Sequence, residues 1–334
     1  MRVLAAADKF KGTATAAQVC AAIGHACWAL NIDCTEIPMA DGGEGTLDVL
    51  GGPNRTTLVT GPLGTPVEAA WRLHRGVAVI EMARASGLTI AGGPEKNDAL
   101  NATTQGVGEL IDSALNEGAK KIIVCRGGSA TTDGGLGAIR AISTPARLLA
   151  VEFLVACDVD TLFVDAAKVF APQKGASPAQ VNMLTGRLEQ LAQRFESDYD
   201  INVARIPGSG AAGGLAGGLA ALGAKLIPGF DIVAEENGFD EAVKEHDLII
   251  TGEGLLDTTS FDGKVVGSVL DYAKEAKKHT MAIVGDIDEA MDAELRAEIE
   301  AVSITEMFGS DMAMQQVLRC IEDAASDVLK KLIR

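Results

Sequence analysis

Near its amino end the chain carries MADGGEGT at 39–46, where two carboxylates (Asp41 and Glu44), three glycines and the hydroxyl of Thr46 fall within six residues. A surface turn needs one or two glycines. Three of them around two acids describe a backbone that leaves room for a bound group. The pattern recurs. Asp8, Asp133, Asp158, Glu253 and Asp257 also follow apolar runs into polar or glycine-rich segments, with Lys9, Lys11, Lys174 and Lys264 among them. Any one of these acids could simply cap a helix or shape a turn. Together they suit one chemistry, phosphoryl transfer from a nucleotide. Mg²⁺ takes one or two carboxylates plus phosphate oxygens. Phosphates take cations and backbone N–H groups, with glycines allowing close approach. A carboxylate accepts the proton of the attacking hydroxyl. The histidines (His25, His74, His246 and His279) lie outside every glycine-rich loop, so the expected base is an aspartate.

Three further loops refine this reading. In RGGSATTDGGLGA (126–138), successive N–H groups from Gly127, Gly128 and Ser129 could form an anion-binding nest at a helix start. TGEGLLDTTSFDGK (251–264) is similar in design and ends in Lys264. It is not a Walker A loop, because Thr258 stands where a glycine is required and neither Ser nor Thr follows the lysine. In PGSGAAGGLAGGLAALG (207–223), Gly208, Gly210 and Gly213 match GxGxxG, with Asp231 at the appropriate distance. That stretch reads as a dinucleotide loop, as a glycine-rich helix start that admits close packing, or as a loop that admits substrate.

The elements that must position these residues alternate. Apolar runs at 2–7, 34–40, 121–128, 151–158, 247–254 and 280–286 each deliver the chain into a loop. Helical patterns cover 13–30, 103–118, 178–195, 264–278 and 311–332. Strands alternating with helices predict βαβ units and a parallel sheet. Between Arg55 and Met82 three strand-like runs follow one another with turns and no helix, which predicts an antiparallel meander. The expected organisation is therefore a doubly wound α/β domain from 1–55 and 240–334, with a mixed α/β domain, 56–239, inserted into it.

Composition sets the outer bounds. At 334 residues with 47% apolar content, the chain is long enough for two cores. Its net charge of −17 argues against nucleic acid or an anionic membrane as partner. No stretch approaches the roughly 20 apolar residues of a membrane span, and MRVLAAADKFKG lacks the apolar core of a signal peptide. The six cysteines form no CxxC pair, which predicts free thiols in a cytoplasmic protein. A homo-oligomer is left open.

DKFKGT (8–13), MADGGEGT (39–46), GGSATTDGG (127–135), ACDVD (156–160), FAPQKGA (170–176), GSGAAGGLAGGL (208–219) and TGEGLLD (251–257) stand in the order seen in bacterial glycerate kinases. The chain resembles the glycerate 2-kinase type of that family nearly end to end, with TGPLGTPVEA (60–69) and ITEMFG (304–309) in support. The resemblance implies ATP- and Mg²⁺-dependent phosphorylation of D-glycerate to 2-phosphoglycerate, in a cleft between a Rossmann-like domain and the inserted domain. It implies functional roles for Asp8, Lys11, Asp41, Glu44, Asp133, Glu253, Asp257 and Lys264. Joined to the loop chemistry, these give an expected catalytic set of Asp8, Lys11, Asp41, Asp133 and Lys264. The expected metal ligands are Asp133 and Glu253. Glu44, Thr46, Gly127, Gly128, Ser129, Gly210, Gly213 and Asp257 complete the expected set as substrate or nucleotide contacts. Thr132, where relatives commonly have Asn, Leu255, and a short segment after Gly137 depart from the pattern. Two other classes remain open: an NAD-linked oxidoreductase using the 208–213 glycines, and a catalytically silent metabolite-binding homologue.

Overall fold

The structure is a computed structural model and describes residues 1–333. In chain order the strands are Arg2–Ala5 (β1), Asp33–Glu36 (β2), Arg55–Thr60 (β3), Pro66–His74 (β4), Val77–Glu81 (β5), Lys121–Cys125 (β6) and Glu152–Ala156 (β7). They continue with Lys225–Ile227 (β8), Leu248–Thr251 (β9), Leu255–Leu256 (β10), His279–Val284 (β11), Asp286–Ile287 (β12) and Glu300–Ser303 (β13). The chain divides into two compact units, Met1–Asp41 with Phe230–Arg334, and Gly42–Gly229.

The first unit holds a five-stranded parallel sheet in the order β13-β11-β9-β1-β2. Counted within the unit this is 2-1-3-4-5, the flavodoxin-like form of the doubly wound sheet, whose switch point lies between β1 and β9. Beyond β9 and β11, β10 and β12 form a separate short parallel pair. The Ala16–Ala29 helix starts at a capping box in which the Thr15 hydroxyl accepts from Gln18 N and the Gln18 side chain accepts from Thr15 N. Its apolar face, including Val19, Cys20, Ile23 and Cys27, packs with Cys20-like small residues of the Val317–Leu332 helix such as Cys320, Ala324 and Ala325. The expected single helix over 311–332 is two, Ser310–Gln315 and Val317–Leu332.

The second unit is a six-stranded mixed sheet in the order β3-β4-β5-β6-β7-β8. β3, β4 and β5 form the antiparallel meander, and β5 through β8 pair in parallel. Its core is built around Trp71, fully buried with its indole N–H donating to the Thr57 hydroxyl at 2.9 Å. The helices Gln105–Asn116, Leu136–Ala141 and Pro178–Tyr199 contribute to the same core.

The division of the chain falls earlier than expected at both crossings. Residues 42–54 belong with the meander because Glu81 accepts from Gly45 N and Leu47 N, and Arg72 donates to the Gly51 and Gly52 carbonyls. Residues from Phe230 onward belong to the first unit, where Phe230, Phe239 and Tyr272 form a ring cluster and Asn237 donates to the Pro38 carbonyl. These are long-range anchors that composition does not reveal.

Candidate active site

In the first unit the backbone beyond three adjacent strand ends stays in register. Ala6 N and Asp8 N bond the carbonyls of Ile250 and Gly252, while Ile37 N and Met39 N bond those of Ala5 and Ala7. Asp8, Glu253 and Asp41 therefore follow the carboxyl ends of neighbouring parallel strands at the switch point, where open α/β sheets bind ligands. On the other side of β9, Gly252 lets β11 approach, since a Cβ there would lie 2.1 Å from the Ile283 carbonyl oxygen.

Electrostatics binds these acids into one group. Burial, reinforced by the charge of Asp41, raises the Asp8 carboxyl to about 6 against the pull of Lys9 and Lys264. Glu253, 8% exposed, is raised to about 7, again chiefly by burial, with Asp8 and Asp257 adding to it and Ser260 and Lys264 opposing. Its Oε1 is buried without a hydrogen-bond partner. A buried carboxylate oxygen left unpaired is costly in a finished protein and natural in one that receives a cation. Among the described residues no three acids, cysteines or histidines converge tightly enough to hold a metal alone. Burial alone would raise Asp257, yet the Thr259 hydroxyl bond and Lys264 hold it below the usual carboxylate range. It accepts from that hydroxyl at 2.6 Å and closes the 3-10 turn Thr258–Phe261. Lys264 lies 3.8 Å from Asp257 and donates to Thr259. Lys11 is exposed.

In the second unit the DGGEGT loop is fixed from below by Glu81, 2% exposed, which also accepts from Arg84 Nε at 3.0 Å. The one-turn Thr46–Val49 helix has Gly45 as its N-cap, at φ 96°, with no side-chain cap. Neither Asp41 nor Glu44 is there to cap it. Thr46 is 1% exposed and its hydroxyl has no partner. Glu44 is exposed and acts electrostatically on Arg84.

After β6 the chain passes through Gly127 (φ 121°) and Gly128 (φ 60°), conformations that disfavour a side chain. Leu88 N bonds the Gly128 carbonyl and Ala130 N bonds that of Ser86, docking the loop on residues 86–88. Among the described residues the amides of Gly127, Gly128 and Ser129 donate to no protein acceptor. These are the three amides expected to receive an anion. Beside it Arg126 donates to Asp158 at 2.6 Å, and the other oxygen of Asp158 accepts from Gly229 N at 2.6 Å.

Asp133 corrects two expectations. It lies in this second unit, apart from the Asp8 group in the chain's division. Its carboxylate accepts from Thr104 N (2.9 Å), the Thr104 hydroxyl (2.9 Å), Gly135 N (3.1 Å) and Gly137 N (3.1 Å). Four donors take up the lone-pair directions of a carboxylate. Asp133 thus builds the loop through these bonds. Burial raises its carboxyl and those bonds pull it back.

The glycines of 208–214 are likewise accounted for by packing. A Cβ on Gly213 would lie 2.0 Å from the Thr131 carbonyl oxygen, and one on Gly210 would lie 2.4 Å from that of Leu162. Without side chains Gly213 presses against the 131–134 loop, with Gly134 N bonding the Gly213 carbonyl at 3.1 Å, and Gly210 against residues 161–162. Gly210 and Gly213 serve that approach; the contact with substrate or nucleotide expected of them is not needed to explain them. Glu81, Thr104 and Ser260, which shape the loops, escaped sequence reading. Each sits in ordinary strand, helix or turn context, and only its distant partner gives it meaning.

Comparison with known proteins follows the same line. The model of the glycerate kinase family matches residues 3–147 and 142–333. A glycerate kinase of Halalkalibacterium halodurans is 38% identical over 98% of this chain and 97% of its own length. The glycerate 2-kinase of Escherichia coli is 35% identical over 90% of each. A protein from Salmonella typhimurium LT2 assigned as a glycerate kinase 2 has a crystal structure that superposes with a TM-score of 0.85, at 33% identity, covering 99% of this chain and 98% of that one. The two family matches meet at 142–147, within the short segment that follows Gly137.

Proposed function

The chain belongs to the glycerate kinase family, and from that premise we propose that it transfers the γ-phosphoryl group of ATP to the 2-hydroxyl of D-glycerate, with Mg²⁺, in the cytoplasm. The observation that carries this reading is the group of Asp8, Asp41 and Glu253 at three neighbouring strand ends, with an unpaired buried oxygen on Glu253. The E. coli relative's name supports the 2-position. The thiols of all six cysteines are free, which suits a reducing compartment, and no helix among the described residues is long and apolar enough to cross a membrane.

Each residue has a task that its surroundings fit. Asp8, with a carboxyl raised to about 6, is poised near neutrality to take the proton of the attacking hydroxyl. Asp41, beside it, keeps that proton affinity high. Glu253 would hold Mg²⁺ through Oε1, and the ion when bound would neutralise charge on the nucleotide's phosphates. Lys264, steered by Asp257 and Thr259, balances the negative charge that develops on transfer, and the exposed Lys11 is available to the glycerate carboxylate. The N–H groups of Gly127, Gly128 and Ser129 receive phosphate oxygens, with Glu44 and Thr46 shaping the neighbouring loop. Asp133 acts only through the backbone it holds. No feature of the structure favours the oxidoreductase, whose glycine motif is consumed by packing, or the silent homologue, since the acids retain raised proton affinities.

The test is ADP release measured against D-glycerate, L-glycerate, lactate and tartronate, with and without Mg²⁺, followed by ³¹P NMR of the product. Turnover with D-glycerate alone, dependent on Mg²⁺ and giving the 2-phosphate, is the expected result. Absence of turnover with every acid would overturn the reading.

A further inference from the structure

Lys174, in the 3-10 turn Pro172–Lys174, has no task in the chemistry above, yet its placement is unusual. It is 3% exposed, and its ammonium donates to the Thr131 carbonyl at 2.7 Å. Burying a lysine without full compensation costs several kcal/mol, and an apolar side chain of similar length would fill the space without that cost. The nearest charge that favours its protonation is Asp133, which already accepts four hydrogen bonds.

The geometry of the 126–135 loop supplies a reason. Its carbonyls at 130 and 131 need donors once they are buried. The Ala130 carbonyl receives Asn97 Nδ2 at 2.9 Å, and the Thr131 carbonyl receives Lys174 Nζ. The same Asn97 amide bonds the backbone carbonyl of Lys174 at 2.9 Å, so the two donors are fastened to each other. Gly213 presses so closely on the Thr131 carbonyl that a single methyl there would collide with it.

We propose that Lys174 is a positioning residue, which together with Asn97 holds the Ala130 and Thr131 carbonyls so that the amides at 127–129 of the same loop stay arranged for nucleotide phosphate. This rests on the reading above that the loop receives phosphate. Burial lowers the proton affinity of Lys174 to about 7, with Asp133 opposing, and its nitrogen carries N–H donors for the Thr131 carbonyl with or without that proton.

The experiment compares wild type with Lys174→Met, with Lys168→Met as control, since Lys168 lies nearby but exposed with Asp165 as partner. Two readouts are taken: steady-state constants, and hydrogen exchange at the amides of Ala130 and Gly134, which are bonded to the Ser86 and Gly213 carbonyls. Lys174→Met is expected to speed exchange at those two amides at least tenfold without change elsewhere. It should raise KM for MgATP about tenfold while KM for glycerate stays within twofold, and Lys168→Met should change neither. If Lys174→Met does not fold, Asn97→Ala serves in its place, with the same loop-limited exchange and about threefold in KM. Exchange at Ala130 and Gly134 equal to wild type overturns the inference whatever the enzyme does. So does a rise in both KM values together. Faster exchange in a protein that never turns over ATP would leave the hold on the loop standing and overturn the proposed function instead.

Discussion

Asp8 and Asp133 look alike in the chain. Each follows an apolar run, precedes glycine or lysine, and stands where a ligand-binding loop is expected. In the folded protein they are opposites. Asp133 is encircled by four donors from Thr104, Gly135 and Gly137. Asp8 takes one backbone bond, from Lys9 N at 2.7 Å, and faces the charge of Asp41. The lesson is that an acid's job is set by how many donors reach it. A carboxylate that receives many donors builds the loop, and one that receives few keeps lone pairs for chemistry.

Substitutions can break this contrast, and the largest effect is expected at Asp8. Asp8→Asn should lower kcat by about 10²–10⁴-fold, the usual contribution of a general base, while leaving thermal stability unchanged or higher, because a buried carboxylate in a repulsive field is removed. A fall in the urea midpoint together with near-normal kcat would show that Asp8, too, is structural. At Asp133 the balance should invert. Asp133→Asn puts an amide donor against backbone donors, and a loss of about 1–3 kcal/mol in urea denaturation is expected. Activity would be lost only as far as the loop loosens.

The pH dependence of stability sharpens the same comparison. Asp8 and Glu253 hold protons more tightly folded, at about 6 and about 7, than their ordinary 3.8 and 4.5. The native state binds more protons through that window, so their contribution is fully present below about pH 4 and is lost as pH rises through 6 to 7. Lys174 has the opposite sign. With its proton affinity lowered from 10.5 to about 7, stability is lost as pH falls through 7 and regained towards 10.5. Urea midpoints across pH 4–10 should therefore lose their acid-side decline in the Asp8→Asn, Glu253→Gln double variant, and lose their alkaline rise in Lys174→Met. A double variant with the wild-type decline would mean that those carboxyls are not raised.

The smallest effect is expected at Thr132. Its hydroxyl is buried and unpartnered. Thr132→Val removes a polar group that has no partner, so stability should rise by up to about 1 kcal/mol with turnover unchanged. A marked loss of turnover would instead place that hydroxyl among the groups that meet substrate.

Much was legible beforehand because it is local. The period of apolar residues marked the helices, the runs ending in glycine marked the parallel strands, and three runs without a helix between them marked the meander. These depend on neighbours within a few positions, so one chain suffices to read them. The positions of Asp8, Asp41 and Glu253 and the glycine-rich turn at 127–129 were likewise visible as residue types at strand ends. What the chain alone could not decide was which acids are satisfied, where the units divide, and why 208–214 is rich in glycine. Those answers lie in Thr104 reaching Asp133, Glu81 reaching Gly45, and the Thr131 carbonyl lying against Gly213, contacts between residues 29 to 82 positions apart in sequence that exist only once the sheets have formed. Hydrogen bonding and close packing act through space over about 3 Å, and distance in space is the one quantity a linear order of residues does not contain.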